Sequence, residues 1–240
     1  PYDEMAGGGT TTIQVDRRGG VLGSFTSLNG TMMNCSGGQM PWGSWITCEE
    51  TVNGPDVEAD FTGTSNVPLT QPHGYVFEVP VSHQPGSGQS SRRPIRSAGR
   101  FAHEAASFDP RRGHLYLTED DFGFYRYRPP AHPMKVGELR DGGRLQMLKV
   151  KGVDNAHLEA HQEQGATYDV EWVDIDEPDA TYDYTPGEPA PTEQSTALTH
   201  VASQGWAQSA TVWSGRPITS SLTKPRLSMR LASASGTPRA

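Results

Sequence analysis

Short runs in which apolar and polar positions alternate dominate this chain. Residues 10–15 are rich in β-branched side chains and predict a strand. Arg17, Arg18, Gly19 and Gly20 predict a turn, and residues 21–25 predict the return strand. Residues 45–47 are a brief apolar run that predicts another strand. Residues 74–79 set Tyr75, Phe77 and Val79 against Val76 and Glu78, the period of two expected of a strand. Residues 100–108 lead into the turn Asp109, Pro110, Arg111, Arg112, Gly113, and residues 114–118 return, which predicts a hairpin. Further strands are predicted over 124–128, 144–150 and 168–175. No segment carries a convincing amphipathic helix.

Between these runs the chain is polar and rich in glycine and proline. Residues 1–9, 51–73 and 82–97 predict loops, the last of them exposed. Residues 176–200 are acidic and proline-rich and predict an exposed, disordered loop. Short strands at this spacing predict an all-β chain, either propeller or sandwich. No repeat of fixed period separates the two.

Composition narrows the function. The length of 240 residues suits one domain or two small ones. The net charge is −8, and the basic residues Arg216, Lys224, Arg226, Arg230 and Arg239 all lie in residues 212–240, which contain no acid. The body is therefore acidic, which argues against nucleic acid as a partner. No apolar run is long enough to predict a membrane span. The chain opens on Pro1 without an initiator methionine and shows no export signal, so such a signal would lie upstream. Neither a Gly-x-Ser-x-Gly elbow nor a P-loop lysine pattern occurs, which argues against a serine hydrolase and a nucleotide-driven enzyme.

The densest chemistry lies in residues 34–50, Asn-Cys-Ser-Gly-Gly-Gln-Met-Pro-Trp-Gly-Ser-Trp-Ile-Thr-Cys-Glu-Glu. Gly37, Gly38 and Gly43 permit turns, Pro41 fixes one, and Trp42 and Trp45 are large enough to wall a pocket, although packing is the simpler role for both, as for Trp172 and Trp206. A thiolate at Cys35 and a carboxylate at Glu50 would flank a glycine-rich turn, a plausible metal site. The plainer alternatives are a buried small hydrophobe at Cys35, or a Cys35–Cys48 disulfide. Glu104 adds a carboxylate beside His103, itself either a ligand or a hydrogen-bonded structural histidine. Glu119, Asp120 and Asp121 put three carboxylates at a strand end, which suits calcium or simply a solvated turn. His157 and His161 stand four apart but lack the His-Glu-x-x-His order, and Asp174, Asp176, Glu177 and Asp179 lack the glycine and spacing of an EF-hand. Both groups read as solvated surface.

Residues 34–50 closely resemble the signature of the PhoX family of secreted alkaline phosphatases. The likeness continues in Ala6-Gly-Gly-Gly-Thr-Thr-Thr before it and Gly74-Tyr-Val-Phe-Glu-Val after it. It extends to Gly99-Arg-Phe-Ala-His-Glu-Ala, Leu115-Tyr-Leu-Thr-Glu-Asp, Gly123-Phe-Tyr-Arg and Gln204-Gly-Trp. These collinear segments cover residues 1–211. The resemblance implies a β-propeller, here incomplete, and a phosphomonoesterase acting on phosphate monoesters at an iron–calcium centre. It implies Cys35, Glu50 and Glu104 among the metal ligands, with Glu119 and Asp120 as further ligands. It also implies a periplasmic or extracellular setting, and a monomer where the full domain is present.

The likeness stops after Thr211. Where PhoX relatives continue to Arg-x-Glu and aromatic strand residues, residues 212–240 turn to Ser, Thr, Arg, Pro and Ala. The expectation is a partial PhoX-like domain over 1–211 and an atypical, frameshifted or disordered tail over 212–240. Such a piece is expected to be aggregation-prone, and impaired or inactive, because the arginine and metal ligand of the missing segment are absent. The alternative of another class is a calcium-stabilised β-propeller binding module without catalysis.

Overall fold

A computed structural model of the chain describes residues 1–57, 59–60, 63–82, 84–119, 123–153, 156–157, 166–179 and 207–208, the pairs 156–157 and 207–208 by backbone alone. Asp120, His161, the loop beyond residue 179 and the tail over 212–240 lie outside the described residues, as does the side chain of His157. The described chain is all-β. Its strands are β1 (Gly8–Val15), β2 (Val21–Thr31), β3 (Asn34–Gln39), β4 (Ser44–Glu49), β5 (Val76–Pro80), β6 (Ala106–Asp109) and β7 (His114–Thr118). They continue with β8 (Phe124–Arg128), β9 (Arg144–Val150), β10 (Ala156–His157), β11 (Val170–Asp174) and β12 (Ala207–Gln208). A single 3-10 turn at Arg96–Ala98 is the only helical element among the described residues.

Turn chemistry sets the hairpins. Asp16 accepts the amides of Arg18 and Gly20 on one carboxylate oxygen, which closes β1 onto β2. Asp109 accepts the Arg111 amide at 2.8 Å, and Gly113 takes a positive φ of 69°, which closes β6 onto β7. From there an antiparallel meander β6-β7-β8-β9-β11 builds a five-stranded sheet. A three-stranded sheet runs β3-β4-β5. The hairpin β1-β2 and the short parallel pair β10-β12 make up the rest.

The two larger sheets share one core. Ile46, Cys48 and Val76 from the smaller sheet pack with Phe101, Leu115, Leu117, Tyr125, Tyr127, Leu145 and Met147, all buried. Because strand side chains alternate, the other face of β5 sends Phe77 and Val79 to a second cluster with Tyr75 and Leu28 of β2. Hairpin, small sheet and large sheet therefore stack in that order.

Three expectations need correction. Residues 35–38 form strand β3 rather than a turn. Gly37, at φ +76°, makes a bulge in the β3-β4 ladder, and the reversal comes later, where the Gly43 amide donates to Met40 O. Residues 82–97 are not simply exposed, since Ser90 and Ile95 are buried. The Ser90 amide donates to Ser27 O and the Ile95 amide to Val76 O. Of the acidic loop, residues 176–179 are tied down. Pro178 O accepts the Arg100 amide, and Asp179 accepts the Tyr75 hydroxyl at 2.5 Å and pairs with Arg96.

A buried polar knot ties the N-terminus to the small sheet. Glu49 has no exposed surface and accepts the amides of Met32, Gly74 and Tyr75, and stands 2.6 Å from His73 Nδ1. His73 Nε2 lies 3.6 Å from Asp3, which accepts the amides of Met5, Thr70 and Gln71. Beside it, Arg100 is buried, forks onto Asp56 and donates to the carbonyls of Val52 and His73. Buried amides left without their acceptor are expensive, at about 1–3 kcal/mol each. The Glu49→Ala variant strands the amides of Met32, Gly74 and Tyr75 and is therefore expected to lose about 3–5 kcal/mol of stability, read as a fall in the urea midpoint. An unchanged midpoint would show that the knot is idle.

Candidate metal centre

Three of the predicted ligands, Cys35, Glu50 and Glu104, lie near the seam where the two larger sheets meet. Cys35 on β3 faces Cys48 on β4 directly across the ladder. Glu50 follows β4 by one residue and shares the side of the strand that carries Ile46 and Cys48, whereas Glu49 points to the opposite side. Glu104 arrives from the other sheet. Its carbonyl accepts the Gly37 amide at 2.8 Å, its own amide donates to Thr118 O, and Gly37 pairs with Ala105 in a parallel bridge.

The Cys35 thiol registers this convergence. Burial is the largest cause holding its pKa above the ordinary value. A hydrogen bond with the Glu50 carboxylate and the charges of Glu50 and Glu104 add to it, against a partial opposition from the Ser36 amide. Cys35, Glu50 and Glu104 are thus neighbours, although far apart in sequence. Cys48, fully buried, is pushed up by desolvation, then by the Cys35 thiol and Glu104. Both cysteines are free thiols.

Glu119 lies at the end of β7 on the face of Leu115 and Leu117, toward the shared core. It is buried and accepts the Tyr125 hydroxyl at 2.5 Å. Tyr125 stacks on Phe101 at 4.3 Å, and Phe101 in turn on His103 at 3.6 Å. His103 is buried. Desolvation pushes its pKa down to about 3 while Nε2 lies 2.9 Å from Gly99 O, so it sits neutral in the packing. It is a structural neighbour of Glu104. Trp42 packs edge-on against Phe108 and donates to Glu78, while Trp45 is exposed; they do not wall a common pocket.

The donor set fits a cation. A thiol and carboxylates are soft and hard ligands for a transition metal, and carboxylates suit calcium. Among the described residues no three histidine, cysteine or carboxylate side chains are already arranged to hold one ion together. Sequence reasoning missed the Glu49–His73–Asp3 knot, Arg100 and Tyr125. Strand alternation at Glu49–Glu50, which must send two adjacent acids to opposite faces, was the signal that could have found the first.

The family model for alkaline phosphatase PhoX matches residues 2–214. Among solved structures, Pseudomonas fluorescens PhoX in complex with vanadate, a transition state analogue, is similar at 20% identity with a TM-score of 0.45. The match covers 76% of this chain and 37% of that one, so the chain spans little over a third of that structure's length. No curated relative matches.

The raised thiol has a measurable sign. Because its folded pKa lies above the ordinary value, reactive Cys35 thiolate accumulates only at alkaline pH. Glu50→Gln removes both a charge and a charged acceptor. It is expected to shift the pH–rate curve for iodoacetamide alkylation of Cys35 to lower pH, with a several-fold faster rate at neutral pH. An unmoved curve would show that Glu50 does not hold the proton.

Proposed function

The chain belongs to the PhoX family of alkaline phosphatases, periplasmic or secreted metalloenzymes acting on phosphate esters, and on that premise we propose that it carries the metal centre of a phosphomonoesterase. Cys35, Glu50 and Glu104 would be its ligands, with Glu119 and Asp120 as a flanking pair of carboxylates, and iron with calcium as the metals. The stacked meander sheets would be blades of a propeller, of which residues 1–211 form a part. The observation that carries the reading is the gathering of Cys35, Glu50 and Glu104 by the Gly37–Glu104 bridge and the β3-β4 register.

Bound metals would polarise the phosphoryl oxygens and stabilise the leaving oxygen. The work of the chain's own residues is to fix ligands and exclude water. The Gly37–Glu104 hydrogen bond holds Glu104 against β3, Tyr125 donates to the Glu119 carboxylate, and the stacked rings of Phe101, Tyr125 and His103 would exclude water beside it. Where the resemblance leads one to expect Arg-x-Glu, the chain reads Val212-Trp213-Ser214. Without that arginine the transition-state charge would lose stabilisation of about 3–4 kcal/mol. The centre is therefore proposed to bind metal better than it turns over.

Metal analysis tests this. Protein loaded with iron and calcium and then dialysed is expected to retain both, and Cys35→Ser to lose the iron. Calcium retained alone, unaffected by Cys35→Ser, would replace the reading with a calcium-stabilised binding module. Release of p-nitrophenol from p-nitrophenyl phosphate is expected to be slight. Brisk turnover would refute the impairment and leave the metal centre standing.

A further inference from the structure

Cys35 and Cys48 are the chain's two cysteines, and the register sets them directly opposite one another on adjacent antiparallel strands. Opposed residues in such a ladder have Cα atoms about 4.5–5.5 Å apart, inside the span of about 4.4–6.8 Å that a disulfide bridges. Their side chains leave the sheet on the same face. The two sulfurs are close enough that the Cys35 thiol and the Glu104 carboxylate both act on Cys48. The ladder shifts register immediately after Cys35, at the Gly37 bulge, so β3 is not held by regular pairing on that side. Exposure differs between them, with Cys48 at 0% and Cys35 half-buried. Both are reduced.

We propose that Cys35 and Cys48 close into a reversible disulfide, and that this bond and a cation at the Cys35–Glu50–Glu104 cluster exclude one another. The second half rests on the metal-centre reading; the first does not. The order of events follows from access. The Cys35 thiolate attacks one sulfur of a low-molecular-weight disulfide such as oxidised glutathione, forms a mixed disulfide and releases one glutathione thiolate. Cys48, unreachable from solvent, loses its proton and attacks Cys35 Sγ, which releases the second glutathione. Two protein thiols are oxidised and one oxidant molecule is reduced to two thiols. The product has no thiolate left at position 35 to give a metal. In an oxidising compartment, a centre filled before closure would be protected, and one left empty would be locked shut.

The experiment uses the whole chain, first metal-free and then with zinc(II), a thiol-seeking probe that does no redox chemistry. Metal-free protein held in oxidised glutathione is expected to lose both alkylatable thiols, gain no glutathione mass and remain a single chain. A Cys48→Ser variant is expected to stop at the mixed disulfide. Persistence of the mixed disulfide in the unsubstituted protein, or survival of both thiols, would overturn the proposal without touching the metal centre. Zinc stoichiometry is then measured on the reduced and oxidised forms. Zinc bound by the reduced form alone supports the exclusion. Zinc bound equally by both forms overturns it while leaving the metal centre intact. Zinc bound by neither form overturns the exclusion and the metal-centre reading together, while the disulfide stands on its thiol count.

Discussion

Two backbones that nearly touch hold this structure together. At Gly38 an added Cβ would lie 1.8 Å from Ala106 O, and at Gly37 2.0 Å from Ile46 O. No side chain fits at either position. Because Gly38 is glycine, β3 can lie against Ala106 of β6, and because Gly37 is glycine it can lie against Ile46 of β4 while its amide donates to Glu104 O. That bond is where the three-stranded and five-stranded sheets meet. It brings Glu104 beside β3, the strand that carries Cys35. A larger residue at Gly38 would push β3 off β6 and so part the two sheets, and one at Gly37 would push β3 off β4.

The same strand geometry divides the acids. Glu49 and Glu50 are adjacent in sequence and opposite in environment. Glu49 turns into the layer between the small sheet and the N-terminal segment, where three amides and a histidine meet its carboxylate. Glu50 turns to the sulfur side, where its hydrogen bond and charge help to raise the Cys35 thiol. One carboxylate serves the buried knot, and the other is the one proposed as a metal ligand. Alternation alone accounts for the difference.

Much of this was legible from pattern. The strands β8 and β9 and the β6-β7 hairpin follow from period-two alternation and from Asp and Gly at the turn, because these are local signals with local causes. The strand β3 was not legible, because a Gly-Gly pair reads as a reversal, and only the approach of a distant backbone at Ala105 and Ala106 reveals that the glycines serve contact. Residues 82–97 misled for a related reason. Their polar composition describes solvation, while burial of Ser90 and Ile95 comes from backbone bonds to β2 and β5 that no window of sequence contains. The candidate ligands were found by resemblance. Their meeting depends on register, which composition does not encode.

The electrostatics of the gap follow from these placements. Burial is the main cause that raises the Cys35 thiol, and a hydrogen bond with Glu50 and the charges of Glu50 and Glu104 add to it. Desolvation alone would favour the neutral thiol, and the carboxylates deepen that preference. A positive charge at the same place reverses both effects at once. It neutralises the carboxylate field and lowers the cost of the thiolate, so that filling the site and releasing the proton become one event. That coupling is what the proposed centre would use, and His103, neutral in the packing against Phe101, carries no charge of its own.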